Sequence, residues 1–309
     1  MDERVIIRVA DLRAHGATYT EARRSVSTLE RISRGAYADT EGLSPEQRHL
    51  MKARAVLCGV SEVGVSHITA AVNWELPVLT SMLELVHLSP YSGRAGKPKG
   101  GPRHHIHTMP ITPAEVVDKN DLPTTSALRT VLDCARLLDA DWGVVIADDA
   151  LHRGLITSEE LTSRASGIRR LRGAERARLL PSRTSCLAES PAESLLRLRL
   201  LRIGLRPVEQ VTMQWIEGAP RVDFLIDDWL VVEFDGRGKY EIDGDPAAAH
   251  WAEKLRHDRL VEAGYTVIHV TWAQLWDEPR LARRINAVLA QGPSERFRRR
   301  PPVGAERAS

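Results

Sequence analysis

The sequence predicts a multi-domain α/β protein, and three observations support that class. The chain has 309 residues, which exceeds the usual size of a single domain. Its hydrophobic fraction of 43% is sufficient for packed cores, so a disordered chain is not expected. Helix-like and strand-like hydrophobic periods both occur, and in the last third they alternate. We therefore expect a small helical domain, an α+β middle domain and a C-terminal α/β sandwich around a mixed sheet.

Charge and cysteine content narrow the class of protein further. The formal net charge is only +2, yet residues 164–183 hold seven arginines and one acid, Glu175. The three cysteines lie far apart in no metal-ligand spacing, which is typical of a reduced cytosolic protein. No stretch approaches the ~20 apolar residues of a membrane span, and the charged N-terminus lacks the apolar core of a signal peptide. We expect a cytoplasmic protein with no membrane partner.

Short helices and a tight turn are expected in residues 1–44. Apolar residues with helical spacing precede Gly16, and Thr20 can cap a second helix that runs to residue 33. The letters RGAY at 34–37 predict a turn into a short strand. Helices followed by a small ribbon form a winged helix-turn-helix domain, which would bring four arginines near DNA phosphates: Arg23, Arg24, Arg31 and Arg34. A small helical domain that packs on its neighbour explains the pattern equally well.

Two segments of this block carry a resemblance, residues 12–16 (LRAHG) and 29–37 (LERISRGAY). They resemble the N-terminal winged-helix domain of the AbiEi-like type IV antitoxin family of abortive-infection proteins. Antitoxins of that family act as transcriptional autorepressors, so the resemblance implies DNA as a partner. It also implies a toxin or another protein encoded in the same operon as a second partner.

Residues 45–165 are expected to form an α+β scaffold domain. Three of its segments resemble the middle region of longer relatives in the same family: residues 66–79, 108–111 and 122–135. Ser126 can cap a helix with a buried apolar face. Residues 92–105 predict an exposed Gly/Pro-rich basic loop. Three histidines in or near it could suggest zinc, but no second ligand pair follows, so a solvated loop is expected for His104, His105 and His107.

Two basic segments flank the last block. Residues 166–184 are expected to be a linker whose arginines contact phosphates without sequence preference: Arg169, Arg170 and Arg172. A solvated helix face is the alternative interpretation. Residues 293–309 are expected to form a disordered basic tail.

Residues 185–292 have the clearest pattern of elements. A helix that begins at Ser190 and ends at Gly204 is followed by three strands, a polar helix, a strand and a closing helix. The second and third strands are residues 221–226 and 230–234. This order predicts an α/β sandwich around a mixed sheet.

Three carboxylates in this block need a physical cause. Glu233 lies within an apolar strand (LVVEF), Asp223 precedes it by ten residues and Asp235 follows it by two. A buried carboxylate is costly unless it is paired or bound to a metal. Mg²⁺ held by two or three carboxylates can neutralise a phosphodiester and generate hydroxide, so Asp223, Glu233 and Glu193 are candidates for a nuclease site.

A second resemblance rests on Asp223, on residues 233–240 (EFDGRGKY) and on residues 253–260 (EKLRHDRL). Together they resemble the very-short-patch-repair-like branch of the PD-(D/E)XK endonuclease superfamily, over about a third of the chain. The resemblance implies a restriction-endonuclease-like fold, Mg²⁺ or Mn²⁺ as cofactor and a phosphodiester substrate. It gives metal-ligand roles to Asp223 and Glu233 and a catalytic role to the first-helix acid, Glu193. We add Asp235 as a further candidate ligand. Asp235 stands where the superfamily has lysine, and the candidates to replace that cation are Lys239, Lys254 and His257.

Each residue also has an ordinary structural interpretation. Glu193 can complete a helix cap with Ser190, Asp223 can pair with Arg221 or Arg206, Asp235 can belong to a turn, and Lys239 can be a solvated side chain. For the whole chain the alternatives are a repressor with a catalytically inactive nuclease fold, or a repair or defence accessory that binds a partner protein. Strand periodicity adds a condition: Asp223 and Glu233 share one face only if their strands are joined by an odd-length connection or a bulge.

Overall fold

A computed structural model describes residues 5–91, 101–236 and 246–298. The chain divides into two compact units, residues 1–184 and 185–309. Helices occur with three sheets of three, five and four strands, so the mixed α/β class predicted from the sequence is confirmed. In the described ranges, no helix has both the length and the apolar character needed to cross a bilayer.

The first unit begins with a small antiparallel sheet of order β1-β3-β2 and two short helices. Their bounds are β1 Ile7–Arg8, α1 Val9–Ala14, α2 Tyr19–Ser25, β2 Glu30–Ser33 and β3 Ala36–Ala38. Gly35, with φ of 71°, forms the turn between the last two strands, as the letters RGAY predict. Buried residues of β2 and β3, among them Ile32, pack against the next helix.

The second helix differs from the sequence prediction at both ends. Its N-cap is Thr18 rather than Thr20, because Thr18 and Glu21 form a reciprocal capping box. The helix ends at Ser25, and the predicted continuation to residue 33 is wrong. Residues 30–33 instead form β2, in which Ile32 is buried at 1% exposure.

The rest of the first unit surrounds a mixed sheet of order β6-β5-β4-β8-β7, in which β4–β8 and β5–β6 are parallel. The elements are α3 Pro45–Leu57, β4 Val63–Val65, α4 His67–Asn73, β5 Val86–Pro90, β6 His104–Ile106, β7 Val116–Lys119, β8 Leu122–Thr125, α5 Ala127–Leu137, α6 Ala140–His152, α7 Ser158–Ser166 and α8 Ala174–Leu179. Three 3₁₀ turns complete it: Thr80–Met82, Pro113–Glu115 and Leu180–Ser182. Ser126 caps α5 through the N–H of Arg129, as predicted.

Two predicted loop segments contain regular structure. His104 and His105 belong to β6, which pairs with β5, so the predicted loop does not extend to residue 105; residues 92–100 lie outside the described ranges. The segment 166–184, interpreted as a linker, contains α8, whose Ala177 is fully buried in the first unit.

The second unit has the predicted order of elements around a four-stranded sheet, β12-β11-β10-β9. Strands β11 and β12 are parallel, joined through a helix, and the other pairs are antiparallel. The elements are α9 Pro191–Arg202, β9 Val208–Thr212, β10 Arg221–Ile226, β11 Leu230–Phe234, α10 Pro246–Glu262, β12 Thr266–Val270, α11 Trp272–Trp276, α12 Glu278–Gln291 and α13 Glu295–Arg298. The short α13 lies in the segment predicted to be a tail, of which residues 299–309 are outside the described ranges.

Candidate functional site

The β10–β11 hairpin sets the geometry of the candidate site. Ile226 pairs with Leu230, so three residues connect the strands. Asp227 and Asp228 both have left-handed φ values, 49° and 62°, which suit a tight hairpin turn followed by one extra residue. Phe224 pairs with Val232, and the next position along the same register sets Asp223 opposite Glu233. The odd-length connection required by the sequence argument is confirmed.

The same register extends a polar row across the whole sheet. Val222 pairs with Val211 and Phe224 with Glu209, so Gln210 of β9 lies beside Asp223. On the other side, Glu233 pairs with His269 of β12. The row therefore runs Gln210, Asp223, Glu233, His269, one residue from each strand. We call it the polar row.

Asp223, a member of the polar row, has a carboxyl group whose pKa is shifted upward. Burial, aided by the charges of Glu193 and Glu233, raises the pKa of Asp223 to about 6, although the Phe234 N–H and Arg256 act in the opposite direction. The backbone N–H of Phe234 donates to Asp223 Oδ2 at 2.8 Å. Of the two arginines considered as ordinary partners of Asp223, Arg221 and Arg206, Arg221 pairs with Glu189.

Glu193 comes from α9 and is 5% exposed. Ser190 caps the helix and its hydroxyl donates to Glu193 Oε1 at 2.7 Å. The Oε2 atom accepts from the Glu189 N–H at 2.9 Å and from Gln210 Nε2 at 2.8 Å. In a capping box the Glu193 carboxylate accepts from the backbone N–H of the N-cap residue, Ser190. Here it accepts instead from the backbone N–H of Glu189. Glu193 both completes the helix cap and connects α9 to the polar row.

Glu233 is 4% exposed and forms a bidentate ion pair that the sequence argument missed. Arg256 of α10 donates to Glu233 Oε1 at 2.7 Å and to Oε2 at 2.9 Å. The same guanidinium donates to both oxygens of Glu253, at 2.6 and 3.1 Å. Burial alone would lower the pKa of Arg256, but these carboxylates raise it above its ordinary value. Arg256 therefore stays charged between two acids.

The structure describes two of the three candidate replacements for the missing lysine, Lys254 and His257. Lys239 lies outside the described residues, and exposed Lys254 lies 5.6 Å from the centroid of the Trp251 ring. His257 contacts His269, with Nδ1 and Nε2 at 3.1 Å. The sequence did indicate the pair of Glu253 and Arg256, because their i, i+3 spacing puts both on one face of α10.

Three members of the polar row line a cleft of about 870 Å³, together with Glu193, Glu253 and Arg256: Asp223, Glu233 and His269. Asp235 also lines it, and its N–H donates to the Val270 carbonyl at 2.9 Å. Among the described residues, the lining includes five carboxylates and two guanidiniums, with a formal charge of −3 when the histidines are neutral: Glu193, Asp223, Glu233, Asp235 and Glu253, with Arg221 and Arg256. Such a cleft repels a phosphodiester unless a cation lowers its charge.

Carboxylate oxygens in a negative cleft suit Mg²⁺ or Mn²⁺, so the donor chemistry fits a divalent cation. The geometry fits less completely. In the described ranges no group of three or more His, Cys, Asp or Glu side chains is arranged to hold a metal ion. Both oxygens of Glu233 accept from Arg256, so a cation at Glu233 would share it with the guanidinium.

The predicted phosphate-contacting arginines all belong to the first unit, and all seven are exposed: Arg23, Arg24, Arg31, Arg34, Arg169, Arg170 and Arg172. Arg23 donates to the Tyr37 hydroxyl at 2.7 Å, which ties α2 to β3. Arg170 has a left-handed φ of 54° in the loop between α7 and α8. Exposure leaves the phosphate-contact prediction open.

No family model, curated protein or solved structure matches this chain.

Proposed function

We propose that this protein binds DNA and that its second unit is a Mg²⁺- or Mn²⁺-dependent endonuclease-like domain that hydrolyses phosphodiester bonds in DNA repair or phage defence. The observation that carries the proposal is the juxtaposition of Asp223 and Glu233 across β10 and β11, beside Glu193, in a negatively charged cleft. Burial and repulsion from neighbouring acids raise the pKa of Asp223 to about 6, so the ionised carboxylate lowers the stability of the fold. A divalent cation would relieve this repulsion.

Asp223 and Glu233, with Asp235, would hold the metal ion. A bound Mg²⁺ would lower the pKa of a water molecule and neutralise charge on the phosphate. Arg256 holds Glu233 in place from the side of α10 and offers a permanent positive charge to the phosphate. His269, whose Nδ1 lies 3.8 Å from Glu233 Oε2, can accept or donate a proton at the edge of the cleft. Glu193 keeps α9 fixed against the polar row.

Support for DNA as the partner comes from the first unit. Its N-terminal elements, β1, α1, α2, β2 and β3, have the composition expected of a winged helix, and α2 carries exposed arginines beside the β2–β3 hairpin. The resemblance to AbiEi-like antitoxins agrees with that assignment. The exposed arginines of the first unit would bring DNA to the protein, while the acidic cleft of the second would act on phosphodiesters only with its cation.

A specific observation favours a second candidate function, an antitoxin-like transcriptional repressor with an inactive nuclease fold and a toxin as partner. Arg256 already neutralises Glu233, and Asp235 stands where the superfamily has lysine. If an ion pair occupies the place of the metal ion, the residues of a nuclease site stabilise the fold and no longer catalyse cleavage.

One assay separates the two functions. The full chain is incubated with nicked, mismatched, branched and single-stranded DNA and with RNA, in Mg²⁺ or Mn²⁺. The nuclease proposal expects cleavage of at least one substrate, its loss in Glu233→Gln, and its retention in Glu262→Gln, which alters an exposed acid of α10. If wild type cuts none of them, or if Glu233→Gln cuts as well as wild type, the repressor function takes its place.

A further inference from the structure

A second cavity, of about 360 Å³, lies within the first unit and takes no part in the proposed nuclease chemistry. One face of α5 forms its floor with Arg129, Leu132, Asp133 and Arg136, which are spaced i, i+3, i+4, i+7. The volume falls within the ~300–1,000 Å³ range of small-molecule sites. The cavity is therefore large enough for a small ligand.

The loop between α7 and α8 forms the opposite wall through Ile168, Arg169 and Leu171. This loop is held against α5 by Gly173, where an added Cβ would lie 2.1 Å from the Arg136 carbonyl oxygen. Arg136 in turn donates from Nε to the Arg172 carbonyl at 3.3 Å. The loop and α5 thus form two facing walls that are joined by a close backbone contact.

The charge of the cavity is unbalanced in favour of cations. Four guanidiniums line it: Arg129, Arg136, Arg164 and Arg169. Two carboxylates pair with them, Asp133 with Arg129 and Arg136, and Glu115 with Arg129 and Arg164. The formal balance of these six groups, all in the described part of the chain, is +2. Burial, together with neighbouring charges that include both arginines of the floor, holds the pKa of His107 at about 3, so this nearby imidazole adds no charge at pH 7.

One guanidinium remains available. Arg169 is exposed and makes no hydrogen bond or ion pair with any residue in the described ranges. Arg129, by contrast, is 8% exposed and fixed by its two acids. A bound oxyanion could accept from Arg169 and from the outer N–H groups of the paired arginines.

We infer that this cavity binds a phosphate monoester attached to a small apolar body. A phosphate monoester carries about −1.5 to −2 charges at pH 7, which matches the balance of +2 better than the single charge of a diester. The apolar body is accommodated by Leu132, Ile168, Leu171 and Met109. This site is independent of the proposed nuclease chemistry, because it lies in the other unit.

The test uses calorimetric titration of the full chain at pH 8 with three probes: phenyl phosphate, inorganic phosphate and benzenesulfonate. Phenyl phosphate should bind in a 1:1 ratio and about 10-fold more tightly than either of the others, since benzenesulfonate has the same ring with one charge fewer. Arg169→Ala should weaken it by about 10-fold or more, the loss expected for a charge-assisted hydrogen bond. Arg178→Ala removes an equal charge from the exposed side of the neighbouring helix α8, outside the lining, and should leave the affinity unchanged.

Competition then distinguishes the source of the phosphate. A 5′-phosphorylated single-stranded oligonucleotide that displaces phenyl phosphate would assign the site to nucleic-acid ends, and failure to displace it would assign a free phosphorylated molecule. The inference is overturned if phenyl phosphate does not bind at millimolar concentration, if Arg169→Ala binds it as well as wild type, or if a 5′-hydroxyl oligonucleotide competes equally.

Discussion

Asp223→Asn should stabilise the second unit while it removes the proposed activity. The asparagine amide has the shape of the carboxylate and an oxygen that can accept from the Phe234 N–H. It carries no negative charge to be buried beside Glu193 and Glu233. A rise in the pKa of Asp223 from 3.8 to about 6 corresponds to ~3 kcal/mol of unfavourable free energy in the ionised folded state. We expect about 2–3 kcal/mol of stabilisation at pH 8, since partial exposure of Asp223 reduces the full value.

The pH dependence follows from the direction of the shift. The folded protein binds the Asp223 proton more tightly than the unfolded chain does, so the stability that this group contributes is complete below pH 3.8 and is lost as pH rises through about 6. The difference between variant and wild type should therefore grow between about pH 4 and 6 and stay constant above that window. At pH 8, Mg²⁺ should stabilise wild type and leave Asp223→Asn unchanged.

Urea unfolding in EDTA, followed by tryptophan fluorescence, is the appropriate assay because five of the seven tryptophans belong to the second unit. Asp258→Asn is a matched control, since it neutralises an exposed carboxylate of the same unit. Equal or lower stability of Asp223→Asn at pH 8, or a gain equal to that of the control, would refute the electrostatic argument.

Three further predictions concern the partners of the polar row and the arginines of the first unit. Arg256→Met should destabilise the second unit by about 3 kcal/mol in urea unfolding, because Glu233 is left buried without its guanidinium partner. A change below ~1 kcal/mol would mean that the ion pair is not formed. Glu193→Gln keeps an acceptor for the cap and should lower stability by only about 1 kcal/mol and leave much of any cleavage activity, whereas complete loss of cleavage would give Glu193 a direct role. Replacement of Arg169, Arg170 and Arg172 together by Ala should reduce the slope of log K against log salt for duplex DNA binding by up to ~3. An unchanged slope would mean that these arginines are solvated and do not contact DNA phosphates.

The hairpin of the candidate site was predictable because its constraint is local. Glu233 lies in an apolar strand, and Asp223 precedes it by ten residues across a short connection, so few registers are possible. Both acids share one face only with an odd-length connection or a bulge, and the structure has the odd-length connection. The helix from Ser190 was equally clear, since its cap and proline are adjacent in sequence.

The remainder of the site depends on contacts between distant elements. Gln210 and His269 join the polar row only through the registers of β9 and β12, and β12 follows β11 after a 17-residue helix. The pairing of Arg256 with Glu233 requires the placement of that helix, for which the sequence offered only a spacing. The cavity of the first unit likewise depends on a loop held against α5 by Gly173. At α2 the local signal existed and was misassigned, because Thr20 is a plausible cap but Thr18 has Glu21 three residues later.

Mg²⁺ binding tests the central claim most directly, because it needs no knowledge of the nucleic-acid substrate. Calorimetric titration of the full chain at pH 8 should show binding at the polar row that is lost in both Asp223→Asn and Glu233→Gln and retained in Asp258→Asn and Glu262→Gln. Absence of Mg²⁺ and Mn²⁺ binding by wild type, or binding of equal affinity in Glu233→Gln, would contradict the proposal that these carboxylates form a divalent-cation site.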